Sequence, residues 1–90
     1  MLMGDAEKIL HHGRVVRSNG EGVSEALVYV TTGTAPTPEI AIRSDGAGHF
    51  GIALPPGHFR LQARTVDGKF GVTTIVTGPE ASSFEISIAD

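Results

Sequence analysis

Residues 44–64 read Ser44-Asp45-Gly46-Ala47-Gly48-His49-Phe50-Gly51-Ile52-Ala53-Leu54-Pro55-Pro56-Gly57-His58-Phe59-Arg60-Leu61-Gln62-Ala63-Arg64. Two alternating runs meet at a proline–glycine corner. Phe50, Ile52 and Leu54 fall on one face of the first run, with His49, Gly51 and Ala53 on the other. In the second run Phe59, Leu61 and Ala63 face one way, and His58, Arg60, Gln62 and Arg64 the other. Successive side chains of a strand point to opposite sides, so this period of two marks strands with one buried face. The punctuation has its own chemistry. Asp45 is placed to accept a main-chain N–H two residues on, closing an Asx turn, and Gly48 takes the positive φ that the next strand entry requires. In Pro55-Pro56-Gly57 proline fixes φ and glycine supplies the left-handed residue of a tight reversal. The two runs are therefore expected to form a hairpin with Leu54 opposite Phe59.

The rest of the chain obeys the same grammar. Gly13–Arg17 is expected as a first strand, closed by the turn-rich Ser18–Gly22, and Ala26–Thr31 as a second, rich in β-branched residues and Tyr. Thr32–Pro38 holds two prolines and is expected as a loop, because each proline lacks a donor and biases its predecessor. A strand over Glu39–Arg43 comes next. Asp67-Gly68 signals a hairpin leading to a strand over Lys69–Thr77. After Gly78-Pro79, Phe84, Ile86 and Ile88 alternate with Glu85, Ser87 and Ala89 in a last strand. Only Asp5–Leu10 has helix-like composition, and at that length it is expected as a tail or one docked turn. Residues 1–11 are thus set apart from a domain over 12–90. Seven short strands without a crossover helix must pair mostly antiparallel, and pack best as two sheets around one core. The expected class is all-β.

Composition narrows the possibilities. The chain has 90 residues, no Cys, no Trp and a net charge of −3, with mass 9.4 kDa, pI about 5.7 and mean hydropathy +0.06. That describes one small domain of modest stability, with neither a disulfide framework nor a Cys-based zinc site. Mild acidity argues against nucleic acid and anionic membranes as obligatory partners. No apolar run approaches 18 residues, so no membrane span is expected. The opening Met1-Leu2-Met3-Gly4-Asp5-Ala6-Glu7-Lys8 lacks a basic segment followed by an apolar one, so no signal peptide is expected. The compartment is left open, with the cytoplasm as default.

Four pieces in order resemble a known family: Gly13-Arg14-Val15-Val16; Gly22 through Val30; Ser44-Asp45-Gly46-Ala47-Gly48-His49-Phe50-Gly51-Ile52; and Leu54-Pro55-Pro56-Gly57-His58-Phe59-Arg60-Leu61. Together they are similar to the carboxypeptidase regulatory-like domain, over about residues 12–88. The resemblance implies a transthyretin-like (prealbumin-like), seven-stranded Greek-key β-sandwich. It also implies a non-catalytic accessory module of the kind appended to peptidases, transporters and surface proteins for adhesion, sugar contact or domain spacing. Related domains are often exported.

Candidate chemistry is sparse. Gly46-Ala47-Gly48-His49-Phe50-Gly51 spells a dinucleotide fingerprint, but Ile52-Ala53-Leu54-Pro55-Pro56 continues it as a strand and a turn rather than a helix N-terminus. The Asp45 turn lacks the further acidic ligands of a calcium loop, as positions 47 and 49 are Ala and His. Of the four histidines, His49 and His58 lie about six residues, roughly 20 Å, apart in the expected hairpin. His11 and His12 point to opposite strand faces, so all four are expected at the surface and no metal is expected. Hydroxyisourate hydrolases share the transthyretin-like architecture, but their C-terminal Tyr-Arg-Gly-Ser is replaced here by Ile86-Ser87-Ile88-Ala89-Asp90. No nucleophile elbow appears. No enzyme activity and no cofactor are expected.

The expected interaction surface is the reverse of the core. Arg43, His49, Arg60 and Arg64 point outward and form a basic patch suited to a carboxylate, a phosphate or an acidic protein surface, or serve as ordinary solubilising charge. Leu27 and Tyr29 point outward if Ala26, Val28 and Val30 point in, either as an interface or under the 32–38 loop. The expected role is a binding or assembly module, taking a protein partner or associating with itself through an edge strand. Carbohydrate is the alternative. It is disfavoured by the single Tyr and by Phe50, Phe59, Phe70 and Phe84 being mostly assigned to the core.

Overall fold

A computed structural model describes residues 8–34 and 41–89. Its strands are β1 (Ile9–Val16), β2 (Leu27–Gly33), β3 (Ile42–Arg43), β4 (His49–Leu54), β5 (Gly57–Arg64), β6 (Phe70–Thr77) and β7 (Ser83–Ser87). They form a three-stranded sheet, order β4-β1-β7, and a four-stranded sheet, order β3-β2-β5-β6. The protein is all-β among the described residues, compatible with a β-sandwich. No helix there is long and apolar enough to cross a membrane.

Both sheets feed one core. Val15, Phe50, Ile52, Leu54 and Ile86 come from the first, and Val28, Phe59, Leu61, Ala63 and Ile75 from the second. The rings of Phe50 and Phe84 meet edge to face at 5.7 Å between centroids, closing part of the three-stranded side. Burial of these side chains is the main favourable term for so small a chain, at about 25 cal/mol per Å² of apolar surface.

Several expectations are corrected. The runs either side of Pro55-Pro56-Gly57 do not form a hairpin. β4 pairs with β1, Ile9 opposite Leu54 through Arg14 opposite His49, whereas β5 pairs with β2 and β6. The corner carries the chain from one sheet to the other, which lets Leu54 and Phe59 both face the shared interior. Gly57 opens β5 at φ 157° instead of making a left-handed turn. β1 and β7 run parallel, Val15 opposite Ile86. First and last strands need no crossover helix between them, because the intervening chain makes the long connection by passing through the four-stranded sheet.

Strand limits shift as well. β1 starts at Ile9 rather than at residue 13, so Ile9 and Leu10 are extended, their pairing with β4 outweighing weak local helix preference. Of the expected helix-like stretch, residues 5–7 lie outside the described residues. β2 runs on through Thr32 and Gly33, which pair with Arg60 and Phe59 after a register shift between Val30 and Thr32. The rest of the expected loop to Pro38 lies outside the described residues, apart from Thr34, as do Glu39 and Ile40 of the expected third strand.

Candidate functional site

The outer face of the four-stranded sheet gathers most of the candidate residues. Directly opposite residues of an antiparallel pair share a face, so the register lays them out in rows. Arg43 on β3 stands opposite Leu27 on β2, Leu27 opposite Arg64 on β5, and Arg64 opposite Phe70 on β6. The next row is Tyr29, Gln62 and Val72, followed by Thr32, Arg60 and Thr74. His58 stands opposite Val76. Leu27 and Tyr29 are half-buried, their neighbours Ala26 and Val28 fully buried.

His49 is not part of this face. It belongs to the other sheet, opposite Arg14, with Glu85 on the far side of Arg14. The expected basic patch therefore divides, leaving Arg43, Arg60 and Arg64 together. A separate cleft of about 520 Å³ lies at His49, Arg14, His12 and Glu85.

Phe70 is the main residue misassigned from sequence. It is 55% exposed, with Val72 at 39% and Val76 at 67%, while Gly71, Ile75 and Thr77 of the same strand are buried. A signal for this exists in the sequence. The Asp67-Gly68 turn closes with Thr65 N–H donating to Lys69 O at 2.7 Å, which sets Phe70 opposite Arg64. Arg64 alternates outward from Leu61 and Ala63, and Phe70 must share its face.

The electrostatics are one-sided. β2, β5 and β6 carry no acidic residue. Arg43 forms a 2.9 Å ion pair with Glu25, whereas Arg60 and Arg64 have no acidic partner among the described residues. At the far end, a cleft of about 290 Å³ is lined by Thr32, Thr34, His58, Arg60 and Thr74. The Thr34 hydroxyl accepts the His58 amide at 2.9 Å.

The turn that introduces β4 is built as a carboxylate cap. Asp45 Oδ1 accepts the amides of Ala47 and His49, each at 2.9 Å. These main-chain donors, His49 foremost, hold the Asp45 carboxyl below its ordinary pKa. Asp67 is held down too, chiefly by the Thr65 hydroxyl. Gly48 has φ 89°, and a Cβ there would stand 2.4 Å from Val15 O.

One histidine departs from the expected surface position. His11 is fully buried, and its ring contacts Ser82. Among the described residues no group of three or more His, Asp or Glu is arranged to hold a metal ion.

No protein-family model matches the chain, and no curated protein matches it. Among solved structures, a DUF3823 family protein from Parabacteroides merdae ATCC 43184 is similar, with TM-score 0.67, 17% identity and 94% of this chain covered. The chain spans 47% of that protein's length. At that identity the likeness is one of fold.

Proposed function

We propose that the chain is a non-catalytic binding or assembly module that engages protein through the outer face and free edge of its four-stranded sheet. The observation that carries this reading is the gathering of Leu27, Tyr29, Phe70, Val72 and Val76 beside Arg60 and Arg64 on one face. Phe70, Val72 and Val76 are exposed and Leu27 and Tyr29 half-buried; apolar side chains open to water beside charge mark interaction sites, and Arg beside aromatic rings is typical of their centres. On this reading the fold is a transthyretin-like Greek-key sandwich of the carboxypeptidase regulatory-like kind, which the order of the four sequence pieces supports. Carbohydrate is a second reading, favoured by one observation: the exposed ring of Phe70 offers a stacking surface.

The test compares the wild-type chain with Tyr29→Asp and Phe70→Asp, by light scattering at two concentrations and by panning displayed random peptides. Self-association or peptide capture that is lost in the variants, at unchanged fold, is the expected result. A strict monomer that enriches no face-dependent peptide overturns the reading. A glycan array decides the second reading, with binding lost in Phe70→Ala as its signature.

A further inference from the structure

We propose that the free edge of β6 pairs with the same edge of a second copy, antiparallel about a two-fold axis at Thr74, joining two four-stranded sheets into one. The inference rests on the interaction-module reading above and names its partner.

The ladder shows which groups are free. Thr65 N–H donates to Lys69 O, marking that position as a hydrogen-bonded pair of the β5–β6 hairpin. Such pairs alternate with non-bonded ones in antiparallel ladders. Ala63 with Gly71, Leu61 with Thr73 and Phe59 with Ile75 are therefore the bonded pairs. Phe70, Val72, Thr74 and Val76 turn their N–H and C=O groups away from β5. The Phe70 carbonyl accepts the Ala89 amide at 3.1 Å. That leaves Val72, Thr74 and Val76, and among the described residues no strand pairs with them on that side.

The free segment is complementary to itself. Its midpoint is Thr74, so a two-fold axis there sets Val72 opposite Val76 of the second copy and Thr74 opposite its own equivalent. About six inter-strand hydrogen bonds result. The pairing stops short of Phe70, whose outward carbonyl is already taken by Ala89 of its own chain.

Charge favours a second copy over an acidic segment. Phe70–Thr77 contains no charged residue and no proline, so it lacks the devices that usually protect an edge. An uncharged strip offers an acidic strand nothing, but meets its own copy without like-charge contact. Arg60 and Arg64 sit one strand in. Across the axis the two β5 strands are about 14 Å apart, beyond the roughly 8 Å screening length at physiological salt. With so few residues a side, against about 20–30 in a standard interface, the dimer is expected to be weak.

The chain has no cysteine, so single introduced thiols report the register. Opposed Cα atoms in a bonded pair lie near 5.5 Å, within disulfide reach, whereas Val72 and its own equivalent are about 14 Å apart. At about 1 mM protein with diamide, Thr74→Cys is expected to give a disulfide-linked dimer. Val72→Cys alone gives at least about tenfold less, and an equimolar mixture of Val72→Cys with Val76→Cys restores cross-linking between the two. Circular dichroism and thermal melting confirm the fold of each variant. Equal cross-linking of Val72→Cys and Thr74→Cys overturns the register. A wild-type chain that sediments as a monomer to 2 mM, with no cross-linking, overturns the dimer. If peptide capture lost in Phe70→Asp persists in that monomer, the module reading stands without this partner; if it too is absent, both fall.

Discussion

The backbone amide of Ser82 donates a hydrogen bond to Nδ1 of His11 at 3.1 Å, while Nε2 of the same ring lies buried with no partner among the described residues. An amide proton directed at Nδ1 requires a lone pair there, so the neutral ring carries its proton on Nε2. The Ser82 hydroxyl stands 3.0 Å from the same nitrogen. A ¹⁵N-resolved imidazole spectrum should show the Nε2–H tautomer for His11. His11→Leu removes the orphan donor and frees an amide close to solvent, so its stability should stay within about 1 kcal/mol of wild type. His11→Ala leaves a cavity and should cost about 2–4 kcal/mol. Equal urea midpoints for the alanine variant and wild type would contradict the burial of this ring.

Gly48 and Gly68 share φ 89° but not their surroundings: a Cβ on Gly48 would meet Val15 O at 2.4 Å, and one on Gly68 would meet nothing within 4 Å. Gly68→Ala should therefore cost only the left-handed penalty, about 1–2 kcal/mol. Gly48→Ala adds a backbone clash and should cost about 2–4 kcal/mol. Chemical denaturation of the two variants separates conformational strain from crowding.

Acid should weaken the fold through Asp45 and Asp67. Both carboxyls are held below the ordinary value of 3.8, so near that pH the unfolded chain binds more protons than the folded one. Their contribution is present above the unfolded value and is lost as pH falls through the lower folded value. Thermal melts from pH 6 to pH 2 should show Tm dropping below about pH 4, with a shallower drop in Asp45→Asn. A wild-type slope preserved in Asp45→Asn with Asp67→Asn would assign the acid sensitivity elsewhere.

Glu25 is the one non-glycine residue with positive φ among the described residues, at 63°. It also forms the ion pair with Arg43, in which both side chains are more than half exposed. Left-handed backbone costs a residue with a Cβ about 1–2 kcal/mol, while an exposed ion pair contributes about 0–1 kcal/mol. Strain wins. Glu25→Gly should be neutral or slightly stabilising despite losing the pair, and a melting point lowered by several degrees would reverse the ranking.

Legibility varied by element. The faces of β4 and β5 were plain, because Phe50, Ile52, Leu54, Phe59, Leu61 and Ala63 alternate without exception, and all six are buried. β6 was ambiguous, since Phe70-Gly71-Val72-Thr73-Thr74-Ile75-Val76-Thr77 offers β-branched or aromatic residues at both parities. Only its register against β5 decides which valines meet water. β1 extends to Ile9 because Ile9–His12 pair with β4, a contact distant in sequence that the helix-like composition of residues 5–10 does not announce, and nothing nearby in sequence announces that Ser82 caps a buried imidazole. The candidate surface was legible as outward residues, but grouping His49 with Arg60 and Arg64 assumed the hairpin that the sheet-crossing corner replaces.

Strand character, turn positions and the inward set of the clearest strands were determined by the amino-acid order alone, because pleat alternation and the φ preferences of Gly, Pro and Asp act over a few neighbouring residues. Tertiary structure decided which strands stand side by side: Val15 beside Ile86 in parallel, Arg14 between His49 and Glu85, Phe70 beside Arg64. Those pairings join residues distant along the chain, and they are selected by how two sheets together enclose one interior, a condition that no local stretch contains.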